Sequence, residues 1–239
     1  MFGLTVSDPD RIAARAEIAA LLHSLDIPLA GFTQEPSFPA DLPRAAFLRR
    51  ASVAALLGQP LPAAALLTYL GGPDPLPANV MRKYLFLRWS LTPYLRPGRA
   101  VRAAEGGFLL GDALLILPVS EEDVVDAPLP PGLWTELTGA VHSGQLRGLR
   151  GYNEMPVLVR ENTLLPISIN GQSLTQTADD DADRLTLHWY QPADEAECAL
   201  ADGTRYHVQR TGGCIDVRAN TARPFHLIVH RDGAETLVR

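Results

Sequence analysis

The chain has 239 residues, 46% hydrophobic and 20% charged, with a formal net charge of −6, a mean hydropathy of +0.02 and a pI near 5.5. That balance describes one or two globular domains able to bury a full core. An acidic chain with no block of Lys or Arg lacks the basic face that nucleic acid or an anionic membrane would need, so neither is expected as a partner.

No apolar run approaches the roughly 20 residues that span a bilayer. Asp8, Asp10, Arg11, Arg15 and Glu17 interrupt the start of the chain where a signal peptide would be apolar, so a cytoplasmic location is expected. Ile12, Ala16, Ala19, Ala20 and His23 lie along one side of an amphipathic helix capped by Ser7 or Asp8. Ile27 to Phe32 reads as a short extended segment. Pro43 starts a second helix whose apolar side is Phe47, Leu48, Val53, Leu56 and Leu57 and which Gly58 stops. Pro62 starts a third, shorter helix to Leu70, and the Gly/Pro-dense stretch Gly71 to Pro77 breaks the chain. A fourth helix is expected from about Ala78 to Tyr94.

Near Pro97 the apolar period changes to two. Short runs at Gly107 to Leu110, Ala113 to Val119, Leu133 to Leu137, Val157 to Arg160, Leu185 to Tyr190, Tyr206 to Gln209, Cys214 to Arg218 and Phe225 to His230 read as strands of an antiparallel sandwich. The polar stretch Asn170 to Asp183 is expected to divide it in two. Asp179, Asp180 and Asp181 lack EF-hand spacing and its terminal Glu, which leaves a solvated loop. Cys198 and Cys214 are too few for a zinc cage and read as thiols buried on strands.

Four blocks carry a family resemblance. Tyr84, Leu87, Arg88, Trp89, Leu91, Pro93, Tyr94 and Leu95 form the first. Phe108, Leu110, Gly111, Asp112, Leu114, Leu115, Pro118 and Val119 form the second. Leu129, Pro130, Gly132, Trp134, Thr138 and Gly139 make a third, and Met155 to Arg160 with Leu164 and Pro166 a fourth; Asp202, Gly203 and Tyr206 add a distal echo. In order and spacing the chain resembles the C-terminal end of glycoside hydrolase family 31 enzymes, the α-glucosidase family. The resemblance implies an α+β chain: a helical remnant of a (β/α)8 barrel (residues 1–97) packed on a two-part antiparallel β-sandwich (residues 98–169 and 170–239).

The resemblance also implies where chemistry should be. The family's nucleophilic Asp lies in a Trp-x-Asp-x-Asn segment and its acid/base Asp in a Trp-x-Gly-Asp segment of the barrel. Retaining hydrolysis needs the two carboxyl groups about 5 Å apart. None of Trp89, Trp134 and Trp189 has Asp two residues on. Laid on the acid/base segment, Leu4 stands where the Asp should be, and Pro28 replaces a substrate-contacting Asp. A whole barrel needs roughly 250 residues, more than precede the β-rich part. No other catalytic motif is present.

Glu35, Asp41 and Asp74 are the candidates for a reduced catalytic site. Trp189 and Tyr190, with His188, are the candidates for stacking on a sugar, although strand alternation sends Trp189 to the face opposite its two neighbours. His226 and His230 share a strand face but lack a third ligand, so neither a metal nor another cofactor is expected. Three functions stay open: a noncatalytic protein that recognises carbohydrate or another protein, a glycoside hydrolase with a reduced site, and a subunit completing a barrel on another chain. Leu21, Leu25, Val53, Leu56 and Leu57 would need a new partner if barrel strands are missing, which favours a homodimer through the helices.

Overall fold

The computed structural model describes residues 29–30, 43–62, 76–95, 101–151, 153–168 and 185–238. The chain divides into two units, Met1–Trp89 and Ser90–Arg239.

In the first unit, β1 (Leu29–Ala30), α1 (Arg44–Leu57) and β2 (Leu61–Pro62) follow one another, and β1 pairs with β2 in parallel, Leu29 opposite Leu61 and Ala30 opposite Pro62. Parallel neighbours need a crossover, and α1 lies within the connection that supplies it. Pro43 precedes α1, with its carbonyl accepting from the Phe47 amide at 2.9 Å. Gly58 ends the helix at φ +70°, a conformation that costs a Cβ-bearing residue, while Gln59 donates back to the Ala54 carbonyl at 2.8 Å. Phe47, Leu48, Ala51, Ala54, Ala55, Leu56 and Leu57 are all buried, so the latter half of α1 is covered on more than one side. α2 (Leu76–Ser90) begins with Pro77 in its first turn, where no amide is needed. It ends before Tyr94 because Pro93 disfavours helical backbone at Thr92. A turn follows, with Tyr94 and Leu95 donating to the Leu91 carbonyl, each at 2.9 Å.

The second unit is almost all strand. β3 (Val101–Ala104), β4 (Gly107–Leu110), β5 (Leu114–Ile116), β7 (Trp134–Glu136), β8 (Val141–His142) and β10 (Val157–Arg160) form a six-stranded antiparallel sheet in the order β3-β4-β5-β10-β7-β8. Leu114, Leu115 and Ile116 on β5 and Val157, Leu158 and Val159 on β10 are all buried, as central strands covered on both faces must be. β6 (Val124–Pro128) pairs antiparallel with β9 (Gln145–Leu149), turning Val125, Ala127 and Leu146 inward. Tyr94 anchors this sheet: its buried hydroxyl donates to the Leu110 carbonyl and accepts from the Ala113 amide, both at 3.1 Å.

After the Glu161–Asn162 turn the chain changes sheet. β11 (Thr163–Ser168), β12 (Leu185–Tyr190), β16 (Phe225–Arg231) and β17 (Ala234–Leu237) form a four-stranded sheet, and β13 (Glu195–Ala199), β14 (Arg205–Thr211) and β15 (Cys214–Ala219) a three-stranded one. Leu164, Leu185, Leu187, Trp189 and Leu227 from the first meet Tyr206 and Val208 from the second in one core. Tyr206 and Phe225 meet edge to face at 5.0 Å between ring centroids. This is the expected sandwich, with one departure: β12 and β16 run parallel, because the β13–β15 sheet is inserted between them in the chain. β11 belongs to this distal sheet, so the change of sheet precedes the polar stretch that was expected to mark it. Cys198 is half-buried and Cys214 exposed, where two buried thiols were expected; alternation at the rim of the small sheet turns Cys214 outward.

Candidate functional site

Two clusters of polar side chains are built into the strands. In the distal sheet, His188 and Tyr190 point to the face of β12 opposite Trp189. Register places Tyr190 beside His230 of β16, and His230 beside Glu235 of β17. The His188 Nδ1 and His230 Nε2 atoms are 2.8 Å apart, so one ring donates and the other accepts. The Tyr190 ring stacks on His230 at 4.2 Å and 5°. The exposed Glu235 carboxylate reaches His230 Nδ1 at 3.4 Å. Burial, then the neighbouring His230, lowers the His188 pKa to about 4. Burial also lowers that of His230, with Glu235 opposing the shift. Burial, then Glu235, raises that of the Tyr190 phenol. The result is a pair of imidazoles and a phenol that are neutral at pH 7, and among the described residues no group of three or more His, Cys, Asp or Glu could hold a metal ion.

The second cluster lies on the proximal sheet. Glu136 is the only buried acidic residue among those described. Its Oε1 accepts from Arg150 Nη2 at 2.8 Å and meets His142 Nε2 at 2.7 Å, and its Oε2 accepts from the Thr138 hydroxyl at 3.3 Å. A carboxylate held this way ties β7 to β8 and to the segment that follows β9.

The sequence candidates fall apart along these lines. Glu35, Asp41 and Asp74 lie outside the described residues, as do Leu21, Leu25, the first and third expected helices and the Asp179–Asp181 run. Trp189 and Tyr190 are described and buried, at 0% and 2% exposure, so neither ring offers a face to a sugar in solvent. Trp189 belongs to the distal core, and its indole N–H donates to Asn162 Oδ1 at 3.1 Å. Asn162, at φ +53°, also accepts from the Ala193 amide at 3.0 Å and donates to the Glu195 carbonyl at 2.9 Å. The sequence reading did not single it out, although Asn between two strands is a common sign of a left-handed turn. Glu136 was also missed, because an acid on a short apolar strand reads as its exposed face. Leu56 and Leu57 are buried within the single chain and Val53 is half-buried, so this part of the helical face is covered without a second copy.

The blocks that carry the resemblance are thus the ones that fix the strands: the Tyr94 anchor, the all-buried β5 and β10, and Trp134, buried with its indole donating to the Pro130 carbonyl at 2.8 Å. Residues 86–165 match the family model of the glycosyl hydrolase family 31 C-terminal domain. The match runs from α2 into β11. Solved family 31 enzymes share the fold more widely. An α-xylosidase from Xanthomonas citri superimposes with a TM-score of 0.59 and 16% identity over 89% of this chain and 30% of that one. A dextranase from Flavobacterium johnsoniae gives 0.59 and 17% over 78% and 30%. A cycloalternan-forming enzyme from Listeria monocytogenes gives 0.62 and 20% over 80% and 23%. This chain therefore spans less than a third of each of these proteins, and the likeness is one of fold. No helix among the described residues is long and apolar enough to cross a membrane.

Proposed function

We propose that these 239 residues act as a noncatalytic relative of the family 31 glycosidases, a module for recognising carbohydrate or protein rather than a self-sufficient hydrolase. The observation that supports this reading is the state of Glu136: the one buried acidic side chain among the described residues is taken up by Arg150, His142 and Thr138 in contacts that knit the sheet together. Incubation of the purified chain with aryl α-glucosides is expected to give no turnover above buffer. Turnover that disappears in Glu35→Gln, Asp41→Asn or Asp74→Asn would overturn the reading in favour of a reduced hydrolytic site.

A second reading, a subunit that completes a barrel with other βα units, is favoured by β1 and β2. Two parallel strands of two residues each, joined through a helix, are the smallest piece of a parallel barrel, and such sheets gain stability only when further strands cover their edges. Co-expression with a chain bearing the family's Trp-x-Asp-x-Asn segment tests this. Co-elution with α-glucosidase activity would support it, and separate elution with a monomeric or homodimeric mass by light scattering would sink it.

A further inference from the structure

The His188–His230 pair sits where two parallel strands distant in sequence are joined, and its chemistry limits how many protons it can carry. With both rings neutral, one nitrogen donates and the other accepts across the 2.8 Å contact. With one proton added, His230 can donate from Nε2 to His188 and from Nδ1 toward Glu235, so the contact survives. With two, an N–H on His188 faces an N–H on His230, and the bond is replaced by repulsion between two cations, one half-buried and one buried.

We propose that the His188–His230 contact is a proton-operated latch on the β12–β16 seam, closed while the pair holds at most one added proton and open when both rings are charged. Strand register sets its neighbours within the sheet. Tyr190 shares the face and stacks on His230; Glu235 is the neighbour on β17; His226 lies on the same face of β16, opposite Thr186. β11 contributes Thr163, Leu165 and Ile167 to this face, none of them titratable. The Glu235 carboxylate meets His230 on the side away from His188. Burial opposes the second charge, which ties opening to mild acid.

Hydrogen exchange on the whole protein, corrected for the intrinsic pH dependence, tests the latch. Between pH 7 and 4.5 the amides of Leu185–Tyr190 and Phe225–Arg231 should lose at least tenfold in protection while β13–β15 keep theirs. His188→Gln, whose amide oxygen can accept from a charged His230, should flatten that loss. Glu235→Gln, at a mostly exposed position that does not threaten folding, should do the reverse and start the loss nearer neutrality, since it removes the anion that eases the first proton. Uniform loss across both sheets, no loss, or unchanged profiles in both variants would overturn the proposal.

Discussion

The guanidinium of Arg88 closes the end of α1, donating from Nη1 to the carbonyl of Leu56 at 2.8 Å. It also fills the space that a Cβ on Gly58 would enter. Gly58→Ala therefore meets two penalties, a left-handed backbone and a displaced Arg88, and should cost about 1–3 kcal/mol. Arg88→Ala should cost a comparable amount by leaving the Leu56 carbonyl without its charged donor. Urea unfolding checks both, and losses that simply add would show that the two positions are independent.

Tyr94→Phe deletes a buried hydroxyl that both donates and accepts, and leaves the Leu110 carbonyl and Ala113 amide without it. A loss of about 1–3 kcal/mol is expected, with exchange protection lost first in β4 and β5. A neutral substitution would remove Tyr94 as the anchor of the proximal sheet.

Glu136→Gln keeps the shape of the side chain but removes the charge facing Arg150. Arg150 keeps partial access to solvent, at 29% side-chain exposure, so the cost should be about 1–3 kcal/mol rather than that of a fully buried pair. Adding Arg150→Ala should recover little stability if the His142 contact still needs a carboxylate, and a double-mutant cycle reads the coupling.

Asn162→Ala removes the acceptor of the Trp189 indole and the Ala193 amide and the donor to Glu195 in one step. It should destabilise the distal sandwich by about 2–4 kcal/mol and raise exchange in β12 and β13. Trp189→Phe should cost less, since the ring remains apolar and only one hydrogen bond is lost. Equal effects would mean that packing alone, and not the Asn162 network, holds the indole.

Stability should fall in mild acid. The folded pKa values of His188 and His230 are depressed below the value near 6.5 of an unfolded histidine, so below that pH the unfolded chain binds more protons. Stability is complete above pH 6.5 and declines as pH falls toward about 4. His188 alone contributes at most about 3 kcal/mol to that decline. Urea midpoints at pH 7.5, 6 and 4.5 check the sign, and a midpoint that rises on acidification would refute it.

Sequence and structure agree best where periodicity and backbone chemistry act together. Val157–Arg160 and Leu185–Tyr190 have the limits expected from their apolar runs, and Gly58 stops α1 as a glycine at C′ should. Strands such as β3, β9 and β17 were missed because they lie at or near sheet margins and carry mostly exposed residues, so their pairing leaves little apolar pattern. The His188, Tyr190, His230 and Glu235 cluster was only half legible. Alternation separated Trp189 from its neighbours, but nothing local reveals that β16 returns parallel to β12, and that register makes the stack. The burial of Trp189 and Tyr190, the residues expected to stack on a sugar, was not legible either, because one strand's alternation does not say what packs on each face.

The parallel β12–β16 pair also governs the order of events when the chain folds. β12 can pair with β11 as soon as both exist, but its other edge stays open until all of β13, β14 and β15 has been made and Phe225–Arg231 arrives. Closing so long a loop is slow compared with making the β14–β15 hairpin. A nascent or truncated chain that stops short of Phe225 would therefore carry an apolar strand with an unsatisfied edge, a template for pairing between molecules.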